Sequence, residues 1–275
     1  MSASKRVLLL SDNPGWDYVG RIRTGAAKML GRENAELVSI NIHGQGKTTK
    51  EVFDPTHYGG LIVTPPVSDD RHFLSHVEAS GIPFVRIAAL LDPERGCVVG
   101  MDEFEAASAV TAVLTAAGHR RIGIVRGPSS HLVSMRRYNG YANALGAKGM
   151  RVDQALVVQG DFTRESGRAQ AGKLFAAGAT AIFASNDDMA AGIIDAAARQ
   201  NIAIPGDISL VGYDDNAVAT QVRPQLTTVR QPCEAMGEAA ATLIAARLRN
   251  PRLPNEQVVV PFEIVERESV RVVEG

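Results

Sequence analysis

The chain has 275 residues, 45% of them apolar, with a formal net charge of −1 and an isoelectric point near 6.6. That length buries a sizeable core in one large or two modest domains, and the even charge balance excludes a global field drawing it to nucleic acid or a membrane. Two cysteines, Cys97 and Cys233, are too few for a disulfide framework and have no metal-ligand spacing, so a reducing cytosol with no metal and no cofactor is expected.

At the amino terminus, MSASKRVLLLSDNPGW offers only VLLL before Ser11 and Asp12. That run is too short for the core of an export signal, and no segment reaches transmembrane length, so a cytoplasmic protein without a membrane partner is expected. Arg6–Leu10 reads as a strand, followed by a helix over Asp17–Leu30 that Gly31 would end. Strands over Leu37–Ile42, Gly60–Val63 and Ile82–Ile87 follow, with a helix over Asp70–Ala79 stopped by Gly81-Ile82-Pro83.

A second series opens with a helix over Glu103–Ala117, whose Ala106, Ala107, Val110, Val113, Leu114 and Ala117 share one face. Then come strand Ile122–Val125, helix Ser134–Lys148, strand Leu156–Gln159 and a helix that Thr163 would cap. Strand Ile182–Ser185, helix Asp188–Arg199 and strand Ile208–Val211 complete it, with a last helix over Glu234–Arg249 and two short strands broken at Pro261. Such alternation predicts parallel sheets with helices on both faces.

Several motifs are poor evidence for chemistry. Gly46-Lys47-Thr48 follows a strand, yet Asn41 stands where a phosphate-binding loop needs glycine and Pro55 interrupts any long helix, so a surface loop is expected. His72 and His76 have zinc-compatible spacing but no third ligand nearby, and a solvated helix face is the simpler reading. There is no GxSxG elbow and no Cys/His pairing, so no enzyme is expected.

The carboxyl ends of the strands are richer. They present Asp12-Asn13, Thr64, Ala88, Asp161-Phe162, Asn186-Asp187 and Asp214, with Arg137 in the first turn of a following helix. In open α/β sheets this edge binds ligands. Amides, carboxylates and a guanidinium suit hydroxyl groups, and the flat faces of Trp16 and Phe162 suit the C–H face of a ring, so a small-molecule sensor is predicted. Plainer roles stay open: Asn186 as an N-cap, Asp214 as a turn former, Arg137 as a surface residue, Trp16 as a core anchor.

Six ordered segments then resemble the LacI family of transcription regulators: AAGHRRIGIVRGP, RRYNGYANAL, GDFTRESG, FASNDDMAAG, IPGDISLVGYDDN and PQLTTVRQP, with ERES at 266–269 like its closing pattern. The resemblance implies two similar parallel-sheet α/β/α subdomains of the periplasmic-binding-protein type. Three crossovers near 99–102, 230–232 and 258–261 would join residues 5–100 plus 232–259 and residues 101–231 plus 260–275. It further implies a homodimer and an effector, a sugar or derivative, in the cleft between subdomains, contacted by Arg137, Phe162, Asn186, Asp214 and Gln231. Asp12 and Trp16 are added from their strand-end position. The family's helix-turn-helix headpiece has no counterpart in these residues, so operator DNA is expected as a partner only through a module outside them. Ala88 stands where many sugar-binding relatives carry an acid, and SDNPGW replaces a longer loop, which leaves the ligand's identity open. The alternative is a solute-binding protein of a transport system.

Overall fold

The computed structural model describes residues 6–13 and 16–273, Trp16 by its backbone alone. The chain divides into two compact units, Met1–Met101 with Pro232–Pro261, and Asp102–Gln231 with Phe262–Gly275.

Within the first unit, β1 (Arg6–Ser11), α1 (Trp16–Arg32), β2 (Glu36–Asn41), α2 (Thr49–Val52), β3 (Gly60–Val63), α3 (Arg71–Ser80), β4 (Phe84–Ile87) and β5 (Cys97–Gly100) follow in order. Next, in the second unit, come α4 (Glu103–Ala116), β6 (Ile122–Arg126), α5 (Leu132–Gly146), β7 (Val157–Gln159), α6 (Arg164–Ala176) and β8 (Ala181–Ala184). The same unit continues with α7 (Asp187–Arg199), β9 (Ser209–Val211), α8 (Ala217–Gln221) and β10 (Thr228–Arg230). The chain then returns to the first unit for α9 (Cys233–Arg249) and β11 (Gln257–Val259), and ends in the second with β12 (Glu263–Val265).

The first unit is built on a parallel six-stranded sheet in the order β11-β5-β4-β3-β1-β2. Its central strands are apolar without alternation because both faces are covered. Val7 and Leu9 of β1 pack with Ile22, Ala26 and Leu30 of α1 and with Met236, Ala240 and Ile244 of α9. Leu8 and Leu10 point the other way, into a cluster with Phe53 and with Phe73, Leu74 and Val77 of α3. The second unit has a parallel sheet in the order β7-β6-β8-β9, and β10 pairs antiparallel with β12. Val125, Ile182 and Leu210 face Ala171 and Leu174 of α6 and Ala190 and Ile193 of α7.

Some expectations are corrected. Gly31 does not end α1, which runs to Arg32 before the chain turns through Asn34 at φ 53°. Arg137 lies in the second turn of α5 rather than the first, because the helix starts at Leu132. The stretch at Gly46-Lys47 leads into a capped turn: Thr48 and Glu51 form a capping box over α2. β5, β10, α2 and α8 escaped prediction because three to five residues carry too little periodicity to read. His72 and His76 are exposed on α3, and among the described residues no group of three or more His, Cys, Asp or Glu is placed to hold a metal ion. None of the described helices is long and apolar enough to cross a membrane.

Candidate functional site

Because β6, β7, β8 and β9 are parallel, their carboxyl ends open on one edge of the second unit. At the end of β8, Asn186 caps α7: its Oδ1 accepts from the Met189 N–H at 2.9 Å. Its Nδ2 donates at 2.9 Å to the carbonyl of Phe162, in the loop between β7 and α6. Phe162 sits in the left-handed region at φ 70°, where a side chain other than glycine needs support from its surroundings. Its ring lies edge-on to His131, centroids 5.7 Å apart, over Gly127, where an added Cβ would stand 2.1 Å from the ring. Here the glycine is what lets the edge of the aromatic ring come up against the loop after β6.

Arg137 is the centre of the edge. It is only 5% exposed, with Nε donating to Glu103 Oε2 at 2.8 Å and Nη1 donating to the Ser185 carbonyl at 2.6 Å. Its guanidinium lies 3.7 Å from the Tyr213 ring centroid and 5.8 Å from that of Phe162. The Tyr213 hydroxyl donates to the same Glu103 oxygen at 2.7 Å. Burial alone would lower the guanidinium's pKa, but Glu103, the Tyr213 phenol and Asp214 outweigh it and hold it above the ordinary value.

Asp214 follows β9 at φ 111° and lies 3.8 Å from Arg137 Nη1. Its Oδ1 accepts from Gln231 Nε2 at 2.6 Å, and its N–H donates to the Val229 carbonyl at 2.9 Å. Burial pushes its carboxyl up to about 7 against the pull of Arg137 and Gln231, with Glu103 and Asp188 reinforcing the rise. Asp187, fully buried, accepts from Thr228 Oγ1 at 2.7 Å and from the Asn216 N–H at 3.0 Å. Burial first, then Asp214, raise its pKa well above the usual carboxylate range. Asp215 behaves oppositely: burial is outweighed by Arg267 and Arg230, which hold it low.

The structure thus brings Arg137, Phe162, Asn186, Asp214 and Gln231 together in the second unit. Asp12 belongs to the first unit, with Oδ1 3.0 Å from His43 Nδ1 at the end of β1. The side chain of Trp16 lies outside the described residues. Glu103 and Tyr213 were missed by the strand-end reading, Glu103 because it starts a helix 34 residues before its arginine. Two buried hydroxyls on this edge, Ser185 Oγ and Ser134 Oγ, have no hydrogen-bond partner.

In the first unit, Arg86 is fully buried and ties the segment after β4 together. It donates to the carbonyls of Ser68, Leu91, Asp92 and Arg95 and to Asp69, which itself accepts from the N–H groups of Leu90 and Leu91.

Residues 111–270 match the periplasmic binding protein-like domain. An HTH-type transcriptional regulator of Streptomyces limosus, encoded in the aml 5′ region, is 35% identical over 98% of this chain and 86% of its own length. The chain belongs to the LacI family. As a LacI-type effector-binding domain it is also 33% identical to the HTH-type regulator CelR of Thermobifida fusca, over 78% of this chain and 64% of that protein. The solved CelR–cellobiose complex superposes with a TM-score of 0.87 at 27% identity, covering 97% of this chain and 84% of that one. The matches to CelR and to MalR of Streptomyces coelicolor span 64% and 61% of those regulators, less than two thirds of either.

Proposed function

We propose that this LacI-type domain senses a small polar effector, a sugar or sugar derivative, at the carboxyl edge of its second unit. In this reading the domain works as a cytoplasmic homodimer and acts on operator DNA through a module outside these residues. It acts by binding, not by turnover. The observation that carries the proposal is the buried guanidinium of Arg137, 3.7 Å from the Tyr213 ring centroid and flanked by Asp214, Phe162 and Asn186. Desolvated charge held this firmly gives directional hydrogen bonding to hydroxyls, and the unpartnered Ser185 and Ser134 hydroxyls add donors and acceptors. The CelR–cellobiose complex supports the ligand class.

Asn186 and Gln231 orient, Arg137 and Asp214 hold polar groups, and Phe162 offers a flat apolar face. Occupancy then favours one of two conformations of the chain. Moving a population from mostly one state to mostly the other takes on the order of 5 kcal/mol of differential affinity. A thermal-shift screen over cellobiose, ribose, other neutral sugars, sugar acids, sugar phosphates and nucleobases tests the reading. A true effector at a hundredfold excess over its dissociation constant stabilises the fold by about 2.7 kcal/mol. Phe162→Ala and Arg137→Ala should each abolish that gain. Retention of the full shift in both variants would overturn the site.

A further inference from the structure

The amino-terminal edge of the second unit's sheet, opposite the edge described above, carries a separate hollow of about 220 Å³. Three segments meet there: the turn into β6, the carboxyl end of α5, and the loop from α5 to β7. Its floor is apolar, made by the buried side chains of Ile122, Leu145 and Leu156. Its rim is cationic: Arg120, Arg121 and Arg151 line it with a single carboxylate, Asp153. Arg121 is held in place, with Nε donating to the Gly178 carbonyl at 3.0 Å and Nη2 donating to that of Ala177, and it lies 3.6 Å from Asp153. Arg120 and Arg151 are exposed, and neither has an acidic partner among the described residues. Gly149, at φ 69°, makes the turn that sets Arg151 on the same rim as Arg120. A helix carboxyl end ordinarily repels an anion, but here the last carbonyls are occupied. Leu145 accepts from the Lys148 and Met150 N–H groups, and Gly146 from that of Gly149.

We propose that this hollow is a second ligand site, taking a small phosphate monoester with its phosphate between Arg120 and Arg151 and its carbon body on the apolar floor. Three guanidiniums against one carboxylate leave two positive charges on the rim. A phosphate monoester, at about −1.5 to −2 near pH 7, matches that surplus, and a single carboxylate does not. Guanidinium forks give paired hydrogen bonds to phosphate oxygens, and the buried aliphatic floor lowers the local dielectric in which those contacts form. The volume falls below the ~300–1,000 Å³ of pockets for drug-sized ligands, which limits the ester to a few carbons. This site shares no residue with the Arg137 edge and stands independently of the sugar reading.

Isothermal titration of the full chain at constant ionic strength tests this with propyl phosphate, inorganic phosphate, butyrate and propanol, none of which carries the hydroxyls of a sugar. Propyl phosphate should bind saturably at one site and more tightly than inorganic phosphate, with butyrate weaker still and propanol silent. Arg120→Ser combined with Arg151→Ser changes only exposed positions, so the melting temperature should hold while propyl phosphate binding weakens at least tenfold. Asp153→Asn removes the acid but keeps an oxygen to cap the Ala155 N–H, now 3.0 Å away, and should tighten binding severalfold. Failure of propyl phosphate to bind, or binding that these variants leave unchanged, overturns the site. Butyrate binding as tightly as propyl phosphate overturns the phosphate assignment. A phosphoserine peptide that binds tenfold more tightly than propyl phosphate overturns the small-molecule class.

Discussion

A guanidinium with so little exposure must be neutralised where it sits, and Arg137 shows how. Glu103, Tyr213 and the Ser185 carbonyl fix it before any ligand arrives. Removing it leaves Glu103 buried without its counter-charge, so Arg137→Met should cost about 3–5 kcal/mol in a urea titration. Combining it with Glu103→Gln should recover part of that loss. Asp214 makes a second, pH-dependent prediction. Its folded pKa of about 7 stands above the ordinary 3.8, so the folded state binds its proton more tightly than the unfolded one. Its contribution to stability is therefore complete at low pH, falls as pH rises from about 4 to 7, and levels off beyond. Asp214→Asn should be more stable than the parent at pH 8, by on the order of a few kcal/mol, and the gap should close toward pH 4. A gap that widens on acidification would contradict the assignment. Arg137 and Asp214 were legible in the sequence because strand ends announce themselves as polar residues after apolar runs. Glu103 was not, since nothing in a helix start says which distant arginine it will meet.

At the scale of elements, the edge depends on how α6 and α7 approach. An added Cβ on Gly192 would stand 2.0 Å from the Arg164 carbonyl oxygen, and one on Gly167 would stand 2.1 Å from that of Met189. These backbones touch, so Gly192→Ala must push the helices apart, at a cost of about 1–3 kcal/mol by thermal or chemical denaturation. It should also weaken ligand binding, because α7 carries Asn186 at its start. Asn186→Ala removes the cap and releases the Phe162 carbonyl, for a loss of about 1 kcal/mol or more. Helices of ten or more residues were readable from apolar spacing and caps, as Thr163 shows at α6, where its hydroxyl accepts from the Ser166 N–H. β5 and β10 were not, because four and three residues in a strand gain their identity from the neighbour they pair with.

For the molecule as a whole, strand–helix alternation was enough to predict parallel sheets. The return of the chain to the first unit for α9 and β11 was only weakly suggested by that pattern, through a lone helix and two strands appended to the second series, and was implied more firmly by the family resemblance. α9 shows the physical reason: its apolar face is satisfied by α1 and by strands laid down two hundred residues earlier, a match that local periodicity does not encode. On the proposed function, this LacI-type domain holds a small polyol against Arg137, Asp214, Asn186 and Phe162. The most direct measurement is a crystal structure of the chain with the sugar that gives the largest thermal shift. Ligand oxygens are expected within hydrogen-bonding distance of Arg137 and Asp214, with the sugar ring against Phe162. A ligand seated away from the carboxyl edge of the second unit, with those four side chains untouched, would contradict it.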